Sequence, residues 1–567
     1  MTDFPKANRS REWFDTPELY GWMRRAALKA EGFTPSSYEG KPIIGICNTW
    51  SELTHCNSHL RDLAESVKIG VWQSGGFPME FPVMSLGEVN MKPTTMLYRN
   101  LLSMDVEESI TANPLDAVVL LGGCDKTTPG LLMGAASADI PTILVTGGPQ
   151  LKGNWKGEEL GSCTDCRRYE VELRAGTITQ DEWTELQGCI IRSNGHCMTM
   201  GTASTMATVG EAIGLALPGN AAIPAVDSRR KQLAEEAGRQ AVKIVGTDLI
   251  PSKLLTKEAF ENAIRCIHAI GGSTNSIIHL IAIAGRVGIE LSLDLFDEMS
   301  KTTPFILNLK PSGKYLMEDF YYAGGVPAMM NEISHILNLD NMTVTGQTLG
   351  DNIDGSYTHN TDLIRSVDNP LAPEGGLAVL RGNLAPLGAI IKPTAATPEL
   401  MVHRGKAIVF EDHDDLAARI DDPDLEVNPE DILVMKNSGP VGAPGIPEWG
   451  FLPIPKKILV TGVRDMVRIS DARMSGTAFG TVVVHVTPES ANGGPLSAVK
   501  TGDTIEIDVP NRKLNLLISD EEMESRLKGM PYSGPDFKRG YKWLHARHIL
   551  QADKGCDFGF LRHESLI

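Results

Sequence analysis

Val119-Leu120-Leu121-Gly122-Gly123-Cys124-Asp125-Lys126-Thr127-Thr128-Pro129 reads as a buried strand running into a turn that holds a thiol, a carboxylate and an amine. Ala117 to Leu121 is a short apolar run rich in Val and Leu, Gly122-Gly123 is a turn signal, and Pro129 can begin a helix continued by Leu131, Leu132 and Met133. Three reactive side chains then lie at the carboxyl end of a parallel strand. Open α/β sheets bind ligands there, and the N-terminus of the following helix favours anionic groups. Taken alone, the turn is equally compatible with an incidental cysteine on a polar connection, so the surrounding chain must decide.

Outward from this stretch the order strand, helix, strand recurs: Ile43 to Cys47, a helix over Asn57 to Gln73, Phe81 to Met84, a helix over Thr94 to Glu108, and Thr142 to Thr146 beyond the opening strand. This alternation predicts an α/β fold, a parallel sheet with helices on both faces. From Gly201 to Ser300 the pattern is helical, with Thr202 to Leu217, Ser228 to Val245, Lys257 to Ile270 and Ser276 to Val287 of helix length and several opened by Ser or Thr caps. Asp368-Asn369-Pro370-Leu371-Ala372-Pro373-Glu374-Gly375-Gly376 then marks a boundary, dividing an α/β domain over 1–372 from a β-rich domain over 373–567. The second contains short runs at Leu377 to Leu380, Ala407 to Phe410, Ile432 to Met435, Ile458 to Thr461, Thr481 to Val486 and Thr504 to Val509, the pattern of a barrel-like or sandwich domain. Its glycine-containing loops Gly439 to Glu448 and Arg468 to Gly480 carry Glu448 and Ser475.

With 53 basic against 71 acidic residues the net charge is −18, and no block of like charge forms a tail. Nucleic acid and anionic membrane are therefore excluded as partners. Arg9, Arg11, Arg24 and Arg25 flank no continuous apolar segment, so the N-terminus is not read as a secretory signal. The longest mostly apolar run, Ser276 to Ala284, contains His279 and falls far short of the roughly 20 residues of a spanning helix. A soluble cytoplasmic protein is expected. Nine cysteines, an odd number without a secretory signal, argue for reduced thiols with metal or catalytic work. Cys47, Cys189 and Cys266 lie in strand-like or helical patterns and are assigned to packing.

Three further segments resemble the opening one in character: Thr54-His55-Cys56-Asn57, Leu86-Gly87-Glu88 and Asn194-Gly195-His196-Cys197-Met198. Cysteines from three separate loops can hold an iron–sulfur cluster and leave one iron position for a substrate oxygen. Zinc is the alternative occupant, although Cys56, Cys124 and Cys197 lack the paired spacing of structural zinc sites. That spacing occurs instead at Cys163-Thr164-Asp165-Cys166, which has no second pair and is expected to be a polar loop. Glu88, Asp125 and Glu448, in or beside glycine-containing loops, suit magnesium's preference for a few carboxylates plus substrate and water. Asp125 ties this hard site to the soft one, being adjacent to Cys124.

Five motifs, in order, resemble those of the dihydroxy-acid and sugar-acid (aldonate) dehydratases over essentially the whole chain. They are Gly122 to Pro129, His196-Cys197-Met198-Thr199-Met200-Gly201-Thr202-Ala203-Ser204-Thr205-Met206, Gly271-Gly272-Ser273-Thr274-Asn275, Gly442-Ala443-Pro444-Gly445-Ile446-Pro447-Glu448 and Ser470-Asp471-Ala472-Arg473-Met474-Ser475-Gly476-Thr477. The resemblance implies a hydro-lyase that converts a 2,3-dihydroxy acid to a 2-keto-3-deoxy acid. It implies an iron–sulfur cluster, of the 2Fe-2S type, on Cys56, Cys124 and Cys197, and magnesium on Glu88, Asp125 and Glu448. Lys126 matches a lysine that relatives carry as a carbamate, which would make it a further anionic magnesium ligand. Ser475 matches the family's proposed base, a role a hydroxyl can fill only where a metal or positive field lowers its pKa.

Where branched-chain dehydratases carry a Gly-Met-Lys-Tyr-Ser-like stretch, Glu88 here leads into Val89-Asn90-Met91-Lys92-Pro93-Thr94-Thr95, which looks like the pentonate dehydratases. The expected substrate is a pentonate such as L-arabinonate or D-xylonate, handled by a homodimer or homotetramer. No clear basic cluster for a phosphate is visible. Two readings of another class remain open here, an iron–sulfur electron-transfer protein and a sugar-acid-binding module without turnover; the first needs no magnesium carboxylates, and intact Ser475 and Lys126 speak against the second.

Overall fold

The computed structural model describes residues 8–529 and 534–566. After an N-terminal helix, α1 (Leu19–Ala30), the chain builds a parallel sheet from β1 (Ile43–Asn48), β2 (Phe77–Pro82), β3 (Ala117–Gly122) and β4 (Thr142–Thr146), in the order β2-β1-β3-β4. Every residue of β1 and β3 is buried, which is why both read as unbroken apolar runs. The chain leaves β1 for β2 on one side and returns past β1 to β3. Right-handed crossovers therefore put α2 (Leu60–Gln73) and α3 (Met96–Thr111) on opposite faces.

Helix α4 (Thr127–Ala138) follows β3 and packs on α3, while α5 (Thr164–Ala175) lies outside the sheet. Two later helices, α6 (Thr202–Ala212) and α9 (Asn275–Arg286), are buried along their whole length. Between them come α7 (Ser228–Lys243) and α8 (Lys257–Ala269), the latter capped by Thr256 accepting from the Ala259 amide at 3.2 Å. Helices α2 and α7 approach so closely that a Cβ on Gly70 or Gly238 would strike a carbonyl of the facing helix.

The expected β-rich part is a closed barrel of eight strands. These are β5 (Ala378–Gly382), β6 (Ala385–Ile391), β7 (Val402–Phe410), β8 (Ile432–Met435), β9 (Arg468–Ser470), β10 (Val482–Thr487), β11 (Thr504–Asp508) and β12 (Lys513–Leu516). Around the barrel they run β8-β9-β10-β6-β5-β12-β11-β7. Its interior, with Val434, Ile469, Val483, Ile505 and Leu514, forms a core separate from that of the sheet. Residues beyond the barrel return to the sheet-bearing part: buried Arg99 donates to the carbonyls of Gly555 (3.0 Å) and Cys556 (2.7 Å), and Arg286 pairs with Asp557 at 2.7 Å.

Three local expectations are corrected. The run Ile458 to Thr461 is not a strand; helix α10 (Lys456–Leu459) forms after Pro455 and packs on α5, a run this short being unable to fix its own type. β2 spans Phe77–Pro82 rather than Phe81 to Met84, and two prolines are tolerated in it because it is an edge strand. Cys163-Thr164-Asp165-Cys166 is not a loop but the start of α5, with Cys163 at the N-cap. Among the described residues no helix is long and apolar enough to cross a membrane.

Candidate active site

The carboxyl ends of the adjacent parallel strands β1, β2 and β3 aim their loops at one point. Cys56 follows β1, Glu88 follows β2, and Cys124-Asp125-Lys126 joins β3 to α4. The loops touch: a Cβ on Gly123 would lie 3.1 Å from the Cys56 carbonyl oxygen, and the Thr127 hydroxyl donates to the Leu86 carbonyl at 3.1 Å. Cys197 arrives from the segment before α6, and Glu448 and Ser475 arrive from loops of the barrel. All these side chains except Lys126, which is fully buried, line one cavity of about 220 Å³. A larger, more open cavity of about 540 Å³ on the barrel, lined by Arg419, Lys436 and Lys500, holds none of them.

Glu88, Asp125 and Glu448 each place a carboxylate oxygen so that all three lie within 4.8 Å of one another. Lys126 Nζ fills the middle, 2.6 Å from Asp125 Oδ2, 2.6 Å from Glu448 Oε1 and 3.3 Å from Glu88 Oε2. Burial and nearby Arg473 would each depress the Lys126 pKa, but the three carboxylates outweigh them and hold it above its usual value. Burial works against Glu448 as well, yet Lys126 and Arg473 draw it down to about 2. Asp125 is raised, by burial first and then, against the pull of Lys126, by Glu88 and Glu448. The donor set suits a hard divalent cation. As an ammonium, Lys126 is itself the positive charge that the three carboxylates share.

The carboxylates are held from behind by Arg473, Asn275 and Thr94, residues that lie in the motifs and stretches quoted above but whose role no local signal shows. Buried Arg473 donates to Glu448 Oε1 (3.0 Å), Asn275 Oδ1 (3.1 Å), the Ile446 carbonyl (2.7 Å) and Thr94 Oγ1 (3.1 Å). The Thr94 hydroxyl in turn donates to Glu88 at 2.8 Å, and Thr95 also donates to Glu88. Asn275 Nδ2 donates to the Met474 carbonyl at 3.1 Å, fixing the approach to Ser475.

The soft half contains four thiols, not three. The neighbouring Cys124 thiol, together with burial, pushes the Cys56 thiol well up. Cys163 Sγ lies 3.3 Å from Cys197 Sγ in the same cavity, so the segment read from sequence as a polar loop brings one of its two cysteines into the site. The contact with Cys163, then burial, raises the Cys197 thiol. Thiols held protonated in this way must release protons when a metal loads. Thiol donors gathered from separate loops around one cavity fit an iron–sulfur cluster. Cys47 and Cys266 are buried as expected of packing residues, and Cys189 is partly buried.

Ser475 Oγ lies 2.9 Å from Thr477 Oγ1 and accepts from the Thr477 amide at 3.4 Å. No histidine or carboxylate hydrogen-bonds to it among the described residues. Gly476 is obligatory, since a Cβ there would meet Ser273 Oγ and the Thr202 amide nitrogen at 2.6 Å. Thr164, on the first turn of α5, donates to the Thr477 carbonyl at 2.9 Å and couples the serine loop to the helix that carries Cys163.

Two family models cover the chain, dihydroxy-acid/6-phosphogluconate dehydratase N-terminal over residues 41–352 and C-terminal over 362–556. An L-arabinonate dehydratase of Rhizobium leguminosarum bv. trifolii is 53% identical, covering 99% of this chain and 97% of its own. An L-arabonate dehydratase of Azospirillum brasilense is 52% identical (98% and 96% covered), and a 6-deoxy-6-sulfo-D-gluconate dehydratase of Pseudomonas putida 49% identical (98% and 96% covered). Dihydroxy-acid dehydratases stand further off, at 40% identity. Matched by dehydratases over nearly its whole length, the chain is a hydro-lyase that belongs to the dihydroxy-acid/6-phosphogluconate dehydratase family.

Proposed function

We propose that the chain dehydrates a pentonate, such as L-arabinonate or D-xylonate, to the 2-keto-3-deoxy acid. The observation that carries this reading is the meeting, in one cavity, of clustered thiols, a three-carboxylate cluster and Ser475. The names of the relatives at 52–53% identity support the substrate class. Cys56, Cys124 and Cys197 would hold a 2Fe-2S cluster, and Glu88, Asp125 and Glu448 a magnesium ion. Bound there, the two would supply a Lewis-acid position for the leaving 3-hydroxyl and a positive field over the carboxylate and 2-hydroxyl.

The chain's own part is proton movement and placement. Ser475 Oγ, as its alkoxide, takes the C2 proton as the C3–oxygen bond breaks and passes it to the departing hydroxide, which leaves as water and restores the alkoxide, and the resulting enol tautomerises to the ketone. The Thr477 amide, donating to Ser475 Oγ, favours the alkoxide form of the base. Lys126 must give up its place as a cation if magnesium is to sit among the carboxylates. Reaction of its neutral amine with carbon dioxide, with loss of a proton, exchanges a positive group for an anionic ligand.

A second reading, a hexonate with an anionic tail, draws support from Arg167, whose side chain lines the cavity and whose Nε has no hydrogen-bond partner, and from the sulfogluconate relative. Assay of keto-acid formation on L-arabinonate, D-xylonate, 6-phosphogluconate, 6-deoxy-6-sulfogluconate and 2,3-dihydroxyisovalerate, alongside the visible spectrum, separates these. Turnover confined to the last substrate, or full activity in a colourless protein, refutes the proposal.

We further propose a cytoplasmic homodimer or homotetramer organised as two domains, 1–372 and 373–567. Supporting self-association, α1 exposes Leu19, Tyr20, Trp22 and Met23, each with half or more of its surface free in the monomer.

A further inference from the structure

Cys163 is a thiol for which the proposed dehydration has no use, yet it lines the cavity beside those that it needs. Its sulfur is 3.3 Å from that of Cys197, so closing to a disulfide of about 2.05 Å takes a relative movement of only about 1.3 Å. Cys163 and Cys197 are both partly exposed, whereas Cys56 and Cys124 are buried, at 6% and 5% exposure. An oxidant entering the cavity meets the first pair before the second.

The backbone sets Cys163 in this place at some expense. Its φ of 66° is one that residues with a Cβ seldom adopt. The surrounding bonds impose it: Thr164 is tied to the Thr477 carbonyl, and the Asp165 carboxylate accepts from the Gly161 amide at 2.6 Å and from Lys310 at 2.7 Å. The strained residue is thereby fixed with its sulfur against Cys197.

We propose that Cys163 and Cys197 form a reversible disulfide in the cluster-free protein, guarding Cys197 until a cluster is loaded; the guarding role rests on the assignment of Cys197 to the cluster. With a low-molecular-weight disulfide as oxidant, the two cysteines give up two protons and two electrons. The Cys163–Cys197 bond forms as the oxidant's sulfur–sulfur bond breaks, and two small thiols leave. Excess small thiol reverses the exchange. A lone Cys197 would instead be open to sulfinic and sulfonic oxidation, which thiols do not reverse.

The test uses the full-length protein, stripped of iron by a chelator under anaerobic reducing conditions and then treated with oxidised glutathione. Unreduced peptides are mapped by mass spectrometry. Expected are a single Cys163–Cys197 cross-link, loss of two titratable thiols, and recovery by dithiothreitol followed by uptake of iron and sulfide with return of colour. Cys166→Ser should leave the cross-link in place, and Cys163→Ser should convert it to a glutathione adduct on Cys197. A cross-link between Cys163 and Cys166 or between Cys56 and Cys124, or mixed disulfides alone in the wild type, overturns the proposal. The iron-loaded protein treated alike should show no cross-link; one that forms with colour retained removes Cys197 from the cluster and overturns the guarding role. No cross-link in stripped protein that regains its colour refutes the disulfide and leaves the cluster assignment standing.

Discussion

Replacing Arg473 by lysine tests whether the carboxylate cluster is held in place from behind. The guanidinium sends donors in diverging directions to the Ile446 carbonyl (2.7 Å), Glu448 (3.0 Å), Asn275 (3.1 Å) and Thr94 (3.1 Å), and the side chain is fully buried. Lysine keeps the charge but carries its donors on one nitrogen, which can reach two of these acceptors at best. Two buried acceptors are then left empty, at about 1–3 kcal/mol each, so Arg473→Lys should lose about 2–6 kcal/mol of stability. The functional loss is more specific. Arg473 touches Glu448 directly and Glu88 through the Thr94 hydroxyl, two of the three carboxylates in the cluster. Loss of such outer partners typically weakens metal binding by about 10–100-fold. Because the charge is retained, the pull of position 473 on Glu448 largely survives, and what fails is geometry. Thermal melting and the magnesium dependence of turnover in chelator-treated enzyme read the two effects separately. A variant with wild-type melting and an unchanged magnesium requirement would refute the positioning role.

Ser475→Ala should keep the fold, the visible spectrum and substrate binding while slowing turnover by about 10²–10⁴-fold or more; solvent-deuterium exchange at substrate C2 near the wild-type rate would show that another group takes the proton. If Lys126 is carbamylated, protein prepared in ¹³C-bicarbonate should show a carbamate carbon resonance absent from Lys126→Arg, and a wild-type spectrum without it leaves the lysine an ammonium. Burial, with Asp471 adding to it, pushes Glu489 up to about 7 from 4.5, so the native state holds a proton that the unfolded chain has lost across that window. Stability from this group is complete below about pH 4.5 and drains away as the pH rises to about 7; Glu489→Gln should flatten the fall in melting temperature between them, and an unaltered profile would assign the fall elsewhere. Trp22→Glu on exposed α1 should lower the mass measured by light scattering if that face joins subunits, and an unchanged mass would take α1 out of the interface.

What can be read from the chain and what cannot divide along a physical line. The β3–α4 turn is legible because strand, glycine pair and helix start are local signals, and the parallel sheet that they imply already puts Cys56, Glu88 and Cys124 at neighbouring strand ends. Ser475 needs the resemblance, and for Glu448 the glycine-containing loop suggests a cation ligand but not its partners, since nothing local to a barrel loop says that it reaches a sheet more than 300 residues earlier, as the 2.6 Å contact of Glu448 with Lys126 shows. Arg473 lies inside a family motif, yet its role has no local sign. Its partners Thr94, Asn275 and Ile446 lie on three distant segments, and an arginine's bonding pattern exists only once the fold has gathered its acceptors. Cys163 misleads for the opposite reason. A Cys-x-x-Cys spacing invites a question about the pair, whereas the fold uses the two members differently, the first facing Cys197 at 3.3 Å and the second lying further along α5. Lys126 is the limiting case. Its position among three carboxylates follows from the strand that precedes it, but whether it is a cation there or an anionic ligand is a covalent fact about the side chain. Each state demands a different partner: the ammonium satisfies the cluster by itself, while a carbamate would turn it into four anions that only a bound cation could hold together.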